Sequence, residues 1–193
     1  MNGYIFQLNC SRGGVPKLAV EEALLTPTGL ACDKQAKRKI HGGPERALCL
    51  YALEIIQSLQ AEGHPIAPGS AGENVTVAGL DWATLEPGKR LALGDEVLIE
   101  ISSYTNPCKT IRGSFADGDF RRISQKTHPG ESRLYARVLK TGRLAVGQAV
   151  RVLDGAEAQG SFDELATVHQ MQGDTSASGA KSLKSRLRSL FGE

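Results

Sequence analysis

The chain has 193 residues, of which 40% are hydrophobic and 23% charged, with a formal net charge of +2. This composition is typical of a globular protein with one main domain and argues against wholesale disorder. Apolar runs stay below the roughly 18 residues that a membrane-spanning helix needs. Residues 1–10 lack the basic and apolar regions of a secretion signal, so we expect a cytoplasmic protein.

The first half of the chain predicts two strands and one helix. Residues 3–10 (GYIFQLNC) form an apolar run typical of a strand. Residues 17–25 fit a strand or a helix and precede a turn at 26–29. The short apolar run at 47–51 (ALCLY) predicts the second strand. It leads directly into 52–60, where apolar residues recur at helical spacing.

The second half predicts more strands. The string RLALGDEV at 90–97 shares five of eight residues with RLAVGQAV at 143–150, and each predicts a strand, a glycine turn and a strand. Many short strands with one clear helix predict a mainly β domain with helical decoration, an α+β fold similar to a barrel. The later predicted strands cover residues 74–77, 96–103, 134–139 and 149–153.

The C-terminal part predicts a change in organisation. A capping box at 161–164 (SFDE) predicts a short helix that completes a domain over residues 1–172. Residues 173–180 (GDTSASGA) have the composition of a flexible linker. Residues 181–193 form a short basic tail with leucines at helical spacing. This amphipathic tail suits an anionic membrane surface, a protein partner or packing on its own domain, and the sequence leaves these open.

The four cysteines have no C-x-x-C spacing, which excludes zinc knuckles and redox motifs of that type. Because the sequence lacks a secretion signal, we expect the cysteines to be reduced thiols rather than a disulfide framework. Cys10 and Cys49 lie within apolar runs and suit small core positions. Cys108 precedes Lys109, and a cation near sulfur favours the thiolate, but a lone cysteine beside a lysine is more often structural.

The charge is unevenly distributed along the chain. Residues 52–100 carry eight acids and two bases, whereas 33–46 carries five bases and two acids. A second basic stretch, 131–151, has five bases and one acid. If the two basic stretches meet, they form a pocket for a small anion; otherwise they are a solvated basic face. The modest overall charge gives no reason to expect nucleic acid as a partner.

Two glycine-rich strings suit ligand binding or ordinary turns. In HGGPER, Gly42 and Gly43 allow close approach of a ligand to the backbone, and His41 and Arg46 flank them with donors. In GSAGEN at 69–74, the last two residues supply polar side chains. Histidines at H-x-H or H-E-x-x-H spacing, G-x-S-x-G, Walker and G-x-G-x-x-G strings are all absent from the sequence, so we expect no zinc site built by the protein alone.

Taken in order, these strings resemble the MOSC domain, which occurs at the C-terminus of molybdenum cofactor sulfurases and as stand-alone bacterial proteins. The resemblance runs from about residue 26 to residue 152. It rests on the ordered set rather than on one motif. The strings are GLACD at 29–33, HGGPERA at 41–47, GENVTVAGL at 72–80, LGD at 93–95, NPC at 106–108 and LYARVL at 134–139.

The resemblance implies a β-barrel-like fold and a role for Cys108. Cys108 matches the family cysteine that either ligates molybdenum in a pterin cofactor (molybdopterin) or carries sulfur as a persulfide. A thiolate is a soft ligand that suits both roles. A basic pocket would hold the cofactor phosphate through arginine side chains. The residues that we predict to bind the cofactor are His41, Gly42, Gly43, Arg46, Glu73, Asn74, Arg112 and Arg137.

The resemblance leaves three functions open. The first is an oxidoreductase that reduces an N-hydroxylated small-molecule substrate, with electrons from a donor protein. The second is a sulfur carrier that receives a persulfide on Cys108 from a pyridoxal-phosphate-dependent cysteine desulfurase. The third is an adaptor without catalysis, which either binds the cofactor or is recruited to membranes through Lys181–Phe191.

Overall fold

The structure is a computed structural model that describes residues 2–34 and 42–153. Within these ranges the chain forms eleven strands and one α-helix, and none of its helices is long and apolar enough to cross a membrane. The elements are β1 (Asn2–Cys10), β2 (Leu18–Val20), β3 (Glu22–Thr26), β4 (Gly29–Leu30), β5 (Leu48–Ala52), α1 (Leu53–Ala61), β6 (Val75–Ala78), β7 (Arg90–Leu93), β8 (Val97–Tyr104), β9 (Leu134–Lys140), β10 (Gly142–Ala145) and β11 (Ala149–Leu153).

Seven strands close into a barrel in the order β1, β11, β7, β8, β9, β5 and β6, with β6 returning to β1. Strand β2 pairs with the last three residues of β1, whereas β11 pairs with its first three. Strands β10, β3 and β4 form a separate small sheet. The β5–β6 pair is parallel, because α1 intervenes between these strands and carries the chain back to the starting end. Closure leaves the barrel strands few free edges for pairing with another chain.

The core is mainly aliphatic, in keeping with the 5% aromatic content of the sequence. Leu50 pairs in register with Val75 on one side and with Leu134 on the other, so the three buried side chains share one face of the sheet. Each fully buried aliphatic side chain of this kind contributes roughly 1.5–3 kcal/mol of transfer free energy. Tyr51 and Trp82 add an edge-to-face contact with ring centroids 6.4 Å apart.

The structure confirms the predicted fold class and most predicted strands. The ambiguous stretch 17–25 forms β2 and the start of β3, separated at Glu21. The repeated string is used twice as predicted, because β7 and β10 each lead through a glycine turn into β8 and β11. Residues Met1–Val152 form one compact unit. The predicted capping box, linker and tail lie outside the described residues, so the domain limits at 172 and 180 stay predictions.

The prediction that all four cysteines are reduced is wrong for Cys10 and Cys32, which the structure joins in a disulfide. Pairing of β3 with β4 brings the segment after Leu30 against the end of β1. The two cysteine Cα atoms are then 5.8 Å apart, within the usual range for a disulfide. Cys49 and Cys108 lie outside this bond. Cys10 and Cys49 are both buried, as their apolar surroundings predict.

Candidate functional site

A pocket of about 150 Å³ lies against strands β5 and β9. Cys49 of β5 and Tyr135 of β9 are register partners, and their side chains both line it. They lie on the face of the sheet opposite to the core residues Leu48 and Leu50, because successive side chains of a strand alternate. A pocket of this volume is smaller than the roughly 300–1,000 Å³ of common ligand sites, so a larger ligand must extend beyond it.

Cys108 enters the pocket from the loop that follows β8. It is the N-cap of a 3₁₀ helix, Lys109–Ser114, with extended backbone angles. The preceding Thr105 is tied to the start of β9, because its N–H donates to the Arg133 carbonyl at 2.9 Å. Cys108 is intermediate in exposure. The loop therefore places a sulfur atom beside Tyr135 and Cys49 while leaving it within reach of solvent.

Among the described residues, four cationic side chains line the pocket: Lys17, Lys34, Arg46 and Arg133. None of the described lining residues carries a carboxylate. Lys34 and Arg46 come from the first basic stretch and Arg133 from the second, so the two stretches meet as the charge pattern allowed. The pocket is consequently suited to an anionic group.

Arg133 is the most buried of these cations, at 6% exposure. Its Nη1 donates to the carbonyl of Ala71, which holds the guanidinium in place. Its Nε has no hydrogen-bond partner among the described residues. A buried N–H donor without a partner costs about 1–3 kcal/mol, so this donor is suited to a ligand acceptor.

Tyr135 also lines this pocket. Burial raises the pKa of Tyr135 to about 12, and nearby Cys49 adds to the rise. The phenol therefore keeps its proton at neutral pH. The Arg46 guanidinium lies 5.6 Å from the ring centroid, a cation–π contact that helps to hold the ring in place.

The Cys49 thiol lines the pocket but is poorly suited to react there. Burial raises the pKa of its thiol, and the positive charge of Arg133 opposes this only in part. Its N–H donates to the side chain of Asn74. The thiol is thus held neutral at the base of the pocket, and the more exposed Cys108 is the sulfur that can act as a nucleophile or ligand.

The Asn74 side chain connects strand β5 to the segment that follows β4. Its Oδ1 accepts from Cys49 N–H at 3.2 Å, and its Nδ2 donates to Asp33 Oδ2 at 2.9 Å. Asp33 also forms an ion pair with Lys17, and its Oδ1 accepts from Ser11 N–H at 2.8 Å. The Asp33 side chain is 4% exposed, so these three donors stabilise a nearly buried carboxylate.

Glu73 directly precedes Asn74 in the chain but does not itself line the pocket. It is fully buried, and its Oε1 accepts from Gly69 N–H at 2.6 Å and from the Thr76 hydroxyl at 3.2 Å. Its Oε2 has no partner within the described part of the chain. Burial raises the pKa of Glu73, against the effect of these hydrogen bonds and of Arg133. The residue organises the turn that carries Asn74.

The structure brings together three of the predicted site residues and separates others from the pocket. Arg46, Asn74 and Cys108 line it. Arg137 instead forms ion pairs with Glu100 at 2.6 Å and Glu45 at 3.3 Å. Arg112 is exposed on the 3₁₀ helix.

The glycines of the HGGPER string lie just before the pocket residue Arg46. Gly43 has a φ of 100° and accepts the Arg46 N–H at 3.0 Å, which forms the turn into the short 3₁₀ helix. Gly42 is described but does not line the pocket. His41 lies outside the described residues. Cofactor binding by these residues stays a prediction.

Sequence reasoning missed Lys17, Lys34, Arg133 and Tyr135. A signal for two of them existed, since Arg133 and Tyr135 are two residues apart and so share a face at the start of a predicted strand. Lys17 gave no such signal, because its loop meets the pocket only when β1 pairs with β2.

Comparison with known proteins identifies the family. A family model described as the MOSC domain matches residues 37–151, more than half of the chain. The chain belongs to the MOSC family. The matched range contains Arg46, Cys108 and Arg133 of the pocket. Lys17 and the disulfide lie before the MOSC match, so this side of the pocket wall comes from outside it.

Relatives of this MOSC protein occur in several organisms. Protein YiiM from Escherichia coli (strain K12) is 32% identical over 118 residues, covering 58% of this chain and 52% of the relative. Uncharacterized protein YflK from Bacillus subtilis (strain 168) is 32% identical over 126 residues, covering 65% and 56%. A protein named Reductase from Gibberella moniliformis is 30% identical over 131 residues, covering 66% and 23%. The chain spans about half the length of the two bacterial relatives.

Solved structures share the fold. The crystal structure of YiiM from Geobacillus stearothermophilus has a TM-score of 0.64 at 22% identity, covering 79% of this chain and 75% of the other. YiiM from Escherichia coli has a TM-score of 0.61 at 25% identity, covering 80% and 70%. Their likeness shows that this MOSC chain has the same barrel.

Proposed function

We propose that the pocket holds a molybdenum–pterin cofactor through Cys108 and that the protein is an oxidoreductase acting on N-hydroxylated compounds. The observation that carries the proposal is that the Cys108 sulfur shares one small pocket with the buried, incompletely paired guanidinium of Arg133. A soft sulfur ligand next to an anion site is the donor set that a metal–pterin phosphate requires. A relative named Reductase supports the reaction class.

The residues present fit this cofactor by two tests. The Nε of Arg133 is a buried donor that needs an acceptor, and a phosphate oxygen can supply one. Lys34 and Lys17 add positive charge at the same wall. When bound, the cofactor would supply two-electron redox chemistry at its metal.

The protein residues then have distinct tasks. Cys108 would hold the metal, Arg133 and the lysines would neutralise the phosphate, and the Tyr135 hydroxyl would hold a proton in the same pocket. Reduction of R–NHOH to R–NH₂ consumes two electrons and two protons and releases water. The electrons come from a donor protein, and Tyr135 Oη delivers one of the protons to the departing oxygen.

The test is elemental analysis for molybdenum of protein purified from a cofactor-producing host. We expect near-stoichiometric molybdenum in the wild type and in Cys49→Ala, the matched control in the same pocket, and none in Cys108→Ala. The loaded protein should reduce an N-hydroxylated amidine with an artificial electron donor. Absence of molybdenum from the wild type, with no gain on reconstitution, overturns the proposal.

A sulfur carrier is the second candidate, and the partial exposure of Cys108 favours it, because a desulfurase must reach the sulfur. Incubation with a desulfurase and cysteine should then add one sulfur atom to Cys108, visible as a mass increase of about 32 Da at that peptide. An unmodified Cys108 peptide would count against this function.

A further inference from the structure

We propose that the Cys10–Cys32 disulfide is a reversible redox site that controls the proposed cofactor pocket by fastening one of its walls. The wall consists of residues 11–17, which follow β1, and residues 31–34, which follow β4. Ser11, Lys17 and Lys34 of this wall line the pocket. The bond therefore lies immediately beside residues that would contact the ligand.

The disulfide and the wall form one continuous set of contacts. Directly after Cys10, Ser11 N–H donates to Asp33 Oδ1 at 2.8 Å, and Ser11 carbonyl accepts Lys34 N–H at 2.8 Å. Both partners directly follow Cys32. The covalent bond thus holds the two backbones in the register that these hydrogen bonds need.

The same segment carries the charges of the wall. Asp33 pairs with Lys17 and accepts from Asn74, and these contacts orient one cation and the central amide of the pocket. Lys34 lines the pocket, and its backbone N–H is bonded to the Ser11 carbonyl. Release of residues 31–34 would therefore disturb several pocket residues at once.

The bond is accessible to exchange from one side. Cys32 is exposed, whereas Cys10 is 7% exposed within the core. A dithiol reductant attacks Cys32 Sγ, forming a mixed disulfide and releasing the Cys10 thiolate, which takes up a proton. The second reductant thiol then attacks the mixed disulfide and releases the Cys32 thiol. Two electrons and two protons pass to the protein, and the reductant leaves as its own disulfide.

A purely structural bond is the less suitable explanation. The barrel closes through strands β1, β11 and β6 without it. Cys32 lies beyond the two-residue strand β4 rather than in the barrel. Reduction is thus expected to loosen the wall while leaving the barrel folded, which is the behaviour of a local opening unit.

The experiment uses the full chain purified from a host that does not make the cofactor, so its outcome is independent of molybdenum. Hydrogen exchange is measured for the oxidised wild type, the wild type with dithiothreitol, and Cys32→Ser with and without dithiothreitol. We expect amides of residues 11–17 and 31–34 to exchange at least about tenfold faster after reduction and in Cys32→Ser, with β5 unchanged. Cys32→Ser should not respond to dithiothreitol, which controls for effects on other thiols.

A second readout reports on the pocket itself. Alkylation of Cys108 by iodoacetamide is followed at peptide level in the oxidised wild type and in Cys32→Ser, without reductant. We expect the rate to rise at least about threefold in the variant, because a loosened wall admits the reagent.

An unchanged Cys108 rate, unchanged exchange of the wall, or equal acceleration of exchange in β5 overturns the proposal. Only its last step, control of cofactor binding, rests on the proposed function. Molybdenum analysis of the wild type tests that function separately, so the two ideas can fail independently.

Discussion

Asn74 Nδ2 donates a 2.9 Å hydrogen bond to Asp33 Oδ2, joining the turn before β6 to the segment after β4 across 41 residues of sequence. The same amide accepts from the backbone of β5 through Oδ1. Asn74 thus connects the disulfide-bearing wall to strand β5 of the barrel. Removal of the Asn74 side chain should therefore lower both the stability of the protein and its binding of the proposed cofactor.

Asn74→Ala should destabilise the protein by about 1–3 kcal/mol, because it leaves the buried Cys49 N–H without its partner and removes one of the two donors to Asp33 Oδ2, which keeps Lys17. Urea denaturation followed by circular dichroism measures the change. Asn106→Ala is the matched control, since Asn106 lines the same pocket but is exposed. It should change stability by less than about 0.5 kcal/mol. Equal effects of the two substitutions would contradict the assigned role of Asn74.

Arg133→Lys should lower cofactor retention about tenfold or more, because lysine keeps the charge but lacks the Nε donor and the planar fork. Molybdenum per protein after gel filtration is the measurement. Arg143→Lys makes the same chemical change at an arginine that is 69% exposed and outside the pocket, and it should retain the wild-type metal content. Full retention in Arg133→Lys would remove this residue from the anion site.

Tyr135→Phe should reduce kcat for an N-hydroxylated substrate by about 10²- to 10⁴-fold, since it removes the proton at Oη but keeps the ring under Arg46. The molybdenum content should be unchanged, which separates proton transfer from cofactor binding. Tyr4→Phe, at a tyrosine on the outer surface of β1, serves as control. A Tyr135→Phe enzyme with wild-type kcat would show that protons come from another source.

Glu73→Gln should change how stability depends on pH. Burial raises the folded-state pKa of Glu73 above its unfolded value. Between these two values the folded state binds more protons than the unfolded state, so stability falls as pH rises from about 4.5. Glutamine resembles the protonated acid and does not titrate.

Urea unfolding at pH 4, 6 and 8 tests this expectation. The two proteins should be closely similar in stability at pH 4, and Glu73→Gln should become the more stable one as pH rises. A wild type that gains stability over Glu73→Gln with rising pH would mean that Arg133 holds Glu73 ionised.

The strands of the barrel were predictable because their apolar residues are local in sequence. The run ALCLY predicted β5, and alternation predicted β8. The site was only partly predictable, since a cysteine next to a lysine and an arginine after two glycines are visible as strings. The strings do not show which cations converge, and Arg137 was a reasonable candidate until its pairing with Glu100 was known.

The remaining features depend on long-range pairing. Cys10 and Cys32 are 22 residues apart, and nothing in their spacing indicates that two different strand ends bring them together. The Lys17–Asp33 ion pair follows from the same pairing. Partners of this kind are fixed by register and by loop paths, which local sequence patterns do not specify.

Strand β5 serves two functions at alternate positions. Leu48 and Leu50 stabilise the core, whereas Cys49 between them faces the pocket. Insertion or deletion of one residue within β5 would move the leucines to the pocket side and Cys49 to the core. Substitutions can therefore alter the chemistry of the site one residue at a time, but any change in the length of this strand would damage fold and site together.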